Sequence, residues 1–170
     1  MLPLAWDIGR RVRPHGVAVW RLHYRFRGWN APEDSPVVDA RWALDEVRRH
    51  HGDLPVVLVG HSMGGRVAVN VAAHPTVRHL VILAPWLPMG ETVAAVNGRR
   101  VLILHGDKDR ITSLEASKDW AARARTASTL VDVRRIRGGE HTMIRHARLW
   151  HQLTVASVIH ALIESGVPFA

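Results

Sequence analysis

The stretch Val56-Val57-Leu58-Val59-Gly60-His61-Ser62-Met63-Gly64-Gly65 constrains the fold more than any other part of the chain. An aliphatic run ends in a glycine, a serine follows between small residues, and an amphipathic segment comes after it. A short apolar, β-branched run favours a buried strand. Val67, Ala68, Val71 and Ala72 fall at helical spacing and favour a helix packed on that strand. The junction reads G-x-S-x-G, a sharp corner that holds its serine in a strained conformation. Gly60 and Gly64 keep side chains from colliding across it. The Ser62 hydroxyl is thereby expected above the sheet, and the Met63 amide should point where an oxyanion would form. A serine can also simply cap a helix; the flanking glycines and the upstream strand favour the corner. No G-K-[ST] follows, which argues against a phosphate loop.

The rest of the chain repeats the strand–helix alternation. Residues 2–12 predict a helix with Leu4, Ile8 and Val12 on one face. Val17 to Leu22 read as a strand covered on both faces. Ser35 as N-cap and Pro36 at the first position open a helix buried through Val37, Ala40, Leu44 and Val47, with Gly52 ending it. Buried strands follow at 55–59, 80–84 and 101–106. Thr112 with Glu115 forms a capping box for a helix to about residue 126. Leu130 to Ile136 mix charges into a strand, as at a sheet edge. The last helix spans about 144–164, with Leu149, Leu153, Ala156, His160 and Ile163 predicted on its buried face. This order predicts one α/β domain over 1–170: a mostly parallel sheet of about five strands, helices on both faces. Ser62, Asp109 and His141 all fall just past strand ends, where such sheets place active residues.

Composition narrows the function classes. An apolar share of 47% with 22% charged residues fits a globular domain. With no cysteine, thiol nucleophiles and thiolate metal sites are ruled out. No H-E-x-x-H spacing or acid–histidine cluster argues for a metal, and no cofactor motif stands out. The net charge is +8, but the arginines are scattered without interleaved aromatics, which argues against nucleic-acid binding. No apolar run reaches the length of a membrane span, and the N-terminus lacks the pattern of a signal peptide. A cytoplasmic location is the expectation.

Three motifs occur in order, each after an expected strand: Gly60-His61-Ser62-Met63-Gly64-Gly65, His105-Gly106-Asp107-Lys108-Asp109, and Gly139-Glu140-His141. Together they resemble the α/β-hydrolase superfamily, whose members run Ser, then acid, then His. The resemblance covers roughly residues 1–165. It implies Ser62 as nucleophile, His141 as base and Asp109 as the acid that orients it. Asp107 competes with Asp109, but the family's H-G-x-x-D places the acid four residues after His105. His61, His105 and His146 compete with His141, which alone sits in a glycine-rich loop after the final strand. The implied activity is hydrolysis of small-molecule carboxylic esters or thioesters through an acyl-enzyme. The alternative is a non-catalytic member of the fold that binds a ligand or partner.

Two departures from the family qualify this expectation. Members usually carry a strand ending in H-G or H-G-G before the first helix. It lies between the strands placed here at 17–22 and 55–59, and its loop supplies the second oxyanion amide. No such strand precedes residues 2–12. Either the true chain begins upstream, or the sheet closes over the gap, or a second molecule supplies the strand, giving a homodimer through exposed edges. Residues Arg25 to Trp29 are expected to border the site and stand in for part of that loop. The second departure is the lid: only Pro85 to Arg100 separate two strands, too few for a cap domain. An open site is expected, lined by His61, Trp86, Leu87 and Met89; simple packing of a short crossover is the alternative for the last three.

Overall fold

The structure is a computed structural model that describes residues 2–126 and 130–169. Its elements are α1 (Leu2–Val12), α2 (Ser35–His51), β1 (Val56–His61), α3 (Met63–Val71), β2 (Val77–Leu83), β3 (Arg100–Gly106), α4 (Leu114–Arg125), β4 (Leu130–Ile136) and α5 (Ala147–Glu164). Short 3-10 turns occupy Arg13–His15 and Ala94–Val96. Among the described residues the sheet has four strands in the order β1-β2-β3-β4, and every pair is parallel. Parallel strands all finish at the same edge. The loops after β1, β3 and β4 therefore share one rim, and these are the loops that bear Ser62, Asp109 and His141.

Side chains alternate across each strand and divide the core in two. Leu80, Ile82, Val101 and Ile103 face one layer with Val37 and Leu44 of α2, Val67 and Val71 of α3, and Trp120 of α4. Val81, Leu83, Leu104 and Ile136 face the other, with Leu4 and Ile8 of α1 and Trp150, Val158 and Leu162 of α5. Burying both faces explains why Leu80 to Leu83 of β2 and Val101 to Leu104 of β3 read as unbroken apolar runs.

The expected strand at 17–22 does not form, so the α/β sheet has one strand fewer than its hydrophobic pattern suggests. A strand is defined by its ladder, and among the described residues 18–24 make no backbone–backbone hydrogen bond. Val17 and Val19 still pack against the same core layer as Val57 and Val59, and Trp20 sits 5.8 Å from the rings of His50 and His51. Within the described residues β1 pairs with β2 alone. It is thus an edge strand, and Val56 to Val59 stay half-buried where most of β2 is buried.

Three smaller expectations are corrected. The N-cap of α2 is Asp34; Ser35 and Pro36 lie inside the first turn, and Ser35 Oγ accepts from Asn30 Nδ2. The N-cap of α4 is Ser113, whose hydroxyl accepts from the Ala116 amide, so Thr112 is released for another role. The buried face of α5 is Trp150, Thr154, Val155, Val158, Ala161 and Leu162. Leu149, Ala156, His160 and Ile163 are exposed and Leu153 is half-buried. The helix carries apolar residues on several sides, and helical spacing can be drawn through either set.

Candidate active site

Ser62 stands between β1 and α3 with φ 54° and ψ −120°, a left-handed conformation uncommon for serine. Backbone bonds hold it there. Its amide donates to Leu83 O at 3.0 Å, and its carbonyl accepts from Gly65 N at 3.0 Å and Trp86 N at 3.1 Å. A Cβ on Gly60 would lie 2.3 Å from Gly64 O, so no other residue fits the corner. The Met63 amide opens α3 and donates to no acceptor among the described residues.

His141 Nε2 is 3.0 Å from Ser62 Oγ, and His141 Nδ1 is 2.8 Å from Asp109 Oδ2. The chain from hydroxyl to imidazole to carboxylate is therefore continuous. Asp109 is 1% exposed. Burial pushes its carboxyl up, but the Thr112 amide, His141, the Ile111 amide and the Thr112 hydroxyl all bond it and bring its pKa below the ordinary value. It stays ionised and aimed at the ring. Asp107 is set apart from this chain. Its Oδ1 accepts from the Gly138 amide at 2.7 Å and ties two loops.

The competing histidines have separate tasks. His105 is fully buried, 2.9 Å from Ser117 Oγ through Nδ1 and 3.5 Å from Asp109 Oδ2 through Nε2. Burial pushes its pKa down, against the pull of Asp109. His61 Nε2 donates to the His141 carbonyl at 2.9 Å, with the two rings 4.8 Å apart. Burial likewise lowers its pKa. It clamps the loop of His141 from β1. His146 caps α5.

Thr112 is the residue that motif reading missed. Its hydroxyl lies 2.9 Å from Asp109 Oδ2, 3.1 Å from Ala84 O and 3.1 Å from His141 Nδ1. It joins the end of β2 to the acid and the imidazole. The available signal was two successive hydroxyl residues, Thr112 and Ser113, only one of which can cap. A second missed feature is a glycine contact. A Cβ on Gly106 would lie 2.2 Å from Gly139 O. Glycine there lets the acid loop touch the histidine loop, and Lys108 N donates to Gly139 O at 2.9 Å across the contact.

The expected pocket lining is only partly gathered. Leu87 is 4% exposed and belongs to the core, while Met89 projects fully into solvent, so neither forms a wall. The crossover after β2 is short, and its apolar residues either turn under the sheet or leave it. Trp86 stays beside the corner through its amide bond to Ser62 O. Its ring meets Trp29 edge-on at 5.9 Å, and the Arg66 guanidinium lies 3.7 Å from the Trp29 ring and 4.5 Å from the Trp86 ring. Arg66 also pairs with buried Glu91. Trp29, at the end of the 25–29 loop, therefore borders the first turns of α3.

Comparison with known proteins agrees with this arrangement. The model of an alpha/beta hydrolase domain matches residues 10–166. A protein of unknown function from Agrobacterium tumefaciens, grouped with the alpha/beta hydrolases, superposes with a TM-score of 0.77 at 18% identity over 98% of this chain and 80% of its own. Est1E from Butyrivibrio proteoclasticus with ferulic acid bound gives 0.73 at 15% identity, over 93% of this chain and 82% of its own. An alpha-beta serine hydrolase homologue from Coxiella burnetii gives 0.70 at 19% identity, over 91% and 75%. No curated protein matches the chain in sequence. Among the described residues no helix is long and apolar enough to cross a membrane. On the span of the family match, the chain belongs to the alpha/beta hydrolase domain family.

Proposed function

We propose that the protein is a serine hydrolase that cleaves small-molecule carboxylic esters or thioesters. One observation carries the reading: a serine in a strained corner, 3.0 Å from an imidazole that is itself 2.8 Å from a buried carboxylate. An unaided hydroxyl attacks poorly at neutral pH. In this reading Ser62 Oγ forms a bond to the carbonyl carbon as its proton passes to His141 Nε2. Asp109 fixes the tautomer that leaves Nε2 free and stabilises the imidazolium. The Met63 amide donates to the oxyanion. Collapse expels the alcohol or thiol with the proton from His141, and water then resolves the acyl-enzyme by the same steps in reverse. Est1E, whose structure holds the carboxylic acid ferulic acid, supports carboxylic acyl groups as the substrate class.

A fluorophosphonate probe tests this. The wild type should label on Ser62 and turn over short p-nitrophenyl esters, while Ser62→Ala should do neither. Folded wild type that neither labels nor hydrolyses any ester of a graded panel would instead favour a non-catalytic ligand-binding member of the fold.

A further inference from the structure

A tetrahedral intermediate concentrates negative charge on one oxygen, and oxyanion sites usually meet it with more than one donor. Around Ser62 most polar groups are committed. His141 and Asp109 bond each other, His61 bonds the His141 carbonyl, Arg66 pairs with Glu91, and the Trp86 amide bonds Ser62 O. The hydroxyl of Tyr24 is different. It lies 3.7 Å from the point where a Cβ on Gly64 would stand, and among the described residues it has no hydrogen-bond partner. Gly64 directly follows Met63, so this hydroxyl stands against the first turn of α3, where the free amide is. Gly64 adds no side chain to the gap.

The placement of Tyr24 is not incidental. The next residue is pinned, since Arg25 donates its amide to Asp39 Oδ2 at 2.8 Å and its Nε to Asp39 Oδ1 at 2.5 Å. The ring packs on the core layer beneath α2 and α3, and Trp29 fastens the far end of the loop to Arg66. Burial, with the nearby charge of Asp39, pushes the phenol's pKa up, so it remains a donor at neutral pH.

We infer that Tyr24 is a catalytic residue whose hydroxyl donates a second hydrogen bond to the oxyanion, beside the amide of Met63. This rests on the acyl-enzyme reading above and adds a residue to it. As Ser62 Oγ bonds to carbon, the carbonyl π pair moves onto oxygen and the serine proton moves to His141. Tyr24 keeps its proton and only donates a hydrogen bond, which strengthens as the charge develops. The phenol thus supplies from a side chain what a loop amide supplies in an ordinary oxyanion hole.

The test is Tyr24→Phe in the full chain, which removes one oxygen. The expected result is a fall in kcat on the order of 10²-fold with KM little changed and the melting temperature retained. Affinity for an alkyl boronic acid, which forms an anionic tetrahedral adduct on serine, should fall by a similar factor. Tyr24 is the only tyrosine in the chain, so 3-fluorotyrosine reports on it with a single resonance. That resonance should shift on boronate addition in the wild type and stay put in Ser62→Ala. An active wild type with an equally active Tyr24→Phe variant overturns the role of Tyr24 alone. A lower kcat that merely tracks a lower melting temperature also overturns it. A wild type that hydrolyses no ester overturns the hydrolase reading, and this role with it.

Discussion

On one side of Ser62, the loops bearing Asp109 and His141 follow β3 and β4, which pair along their full length. Asp109 accepts four hydrogen bonds, Thr112 ties it to β2, and two glycines lock its loop to that of His141. On the other side, residues 17–29 run past β1 without a ladder. They are held by side chains instead: Arg25 on Asp39, Trp29 on Arg66, Trp20 beside two histidines. A hydrogen-bonded, low-exposure network fixes geometry to a fraction of an ångström, whereas side-chain anchors on an unpaired segment leave it softer. The proton-transfer half of the proposed site is thus held by a dense hydrogen-bond network, and the flank that carries Tyr24 by individual side chains. Single substitutions should have different consequences on the two sides.

The largest effect is expected from Asp109→Asn. The amide oxygen can still accept from Ile111 N and Thr112 N, but the amide nitrogen then faces His141 Nδ1 as a donor. The imidazole is forced to carry its proton on Nε2, where it cannot take one from serine. A fall in kcat of about 10⁴-fold with an unchanged melting temperature is expected. A loss below tenfold would mean that the densely bonded half does not direct the chemistry. Next comes Gly106→Ala, which drives a methyl into Gly139 O, a backbone atom that cannot swing away. A cost of about 2–4 kcal/mol in denaturant unfolding is expected. A neutral result would show that the two loops slide apart freely.

This division also sets what the sequence could disclose. The Gly60–Gly65 corner was legible because its backbone geometry admits few residues, so residue types report it directly. The positions of Asp109 and His141 were legible because parallel strands must end on one rim. The role of Thr112 was not, since a hydroxyl three residues before a glutamate looks the same whether it caps a helix or bonds a carboxylate. The apolar run Val17 to Leu22 was misleading for a related reason. It satisfies the pattern of a strand, but pairing is a property of two segments. Leu87 and Met89 share an apolar character that says nothing about burial on a crossover, and one lies in the core while the other lies in solvent.

A smaller effect probes the softer flank. Asp39 is buried and bonded to Arg25, and although burial pushes its carboxyl up, those bonds hold its pKa below the ordinary value. Asp39→Asn keeps the shape and weakens both bonds. Because the Arg25 guanidinium is mostly exposed, solvent screening limits the loss to about 1 kcal/mol. Amide exchange should rise in residues 17–29 and stay constant in 106–112. Equal loosening of both segments would show that the flanks form one cooperative unit.

Acid should reverse the ranking of the two sides. The pKa values of His61 and His105, both beside the proposed proton-transfer chain, are pushed down by burial. The folded protein keeps each ring neutral while the unfolded chain binds a proton below about pH 6.5. The unfolded state therefore holds more protons, and stability rises with pH through that window. The contribution is complete above about pH 6.5 and is lost as pH falls through the lowered folded values. Asp109 opposes nothing here, since its depressed pKa keeps its contribution intact until far more acidic pH. Amide exchange in 106–112 and 138–142 should thus quicken from pH 7 to pH 5, after correction for intrinsic rates, while 17–29 changes little. His105→Leu should flatten the pH dependence of the melting temperature, whatever it does to the melting temperature itself. An unaltered slope would mean that the more rigid flank does not depend on an uncharged histidine beneath its carboxylate, and would shift the origin of the acid effect to His61 or His79, whose pKa burial also lowers.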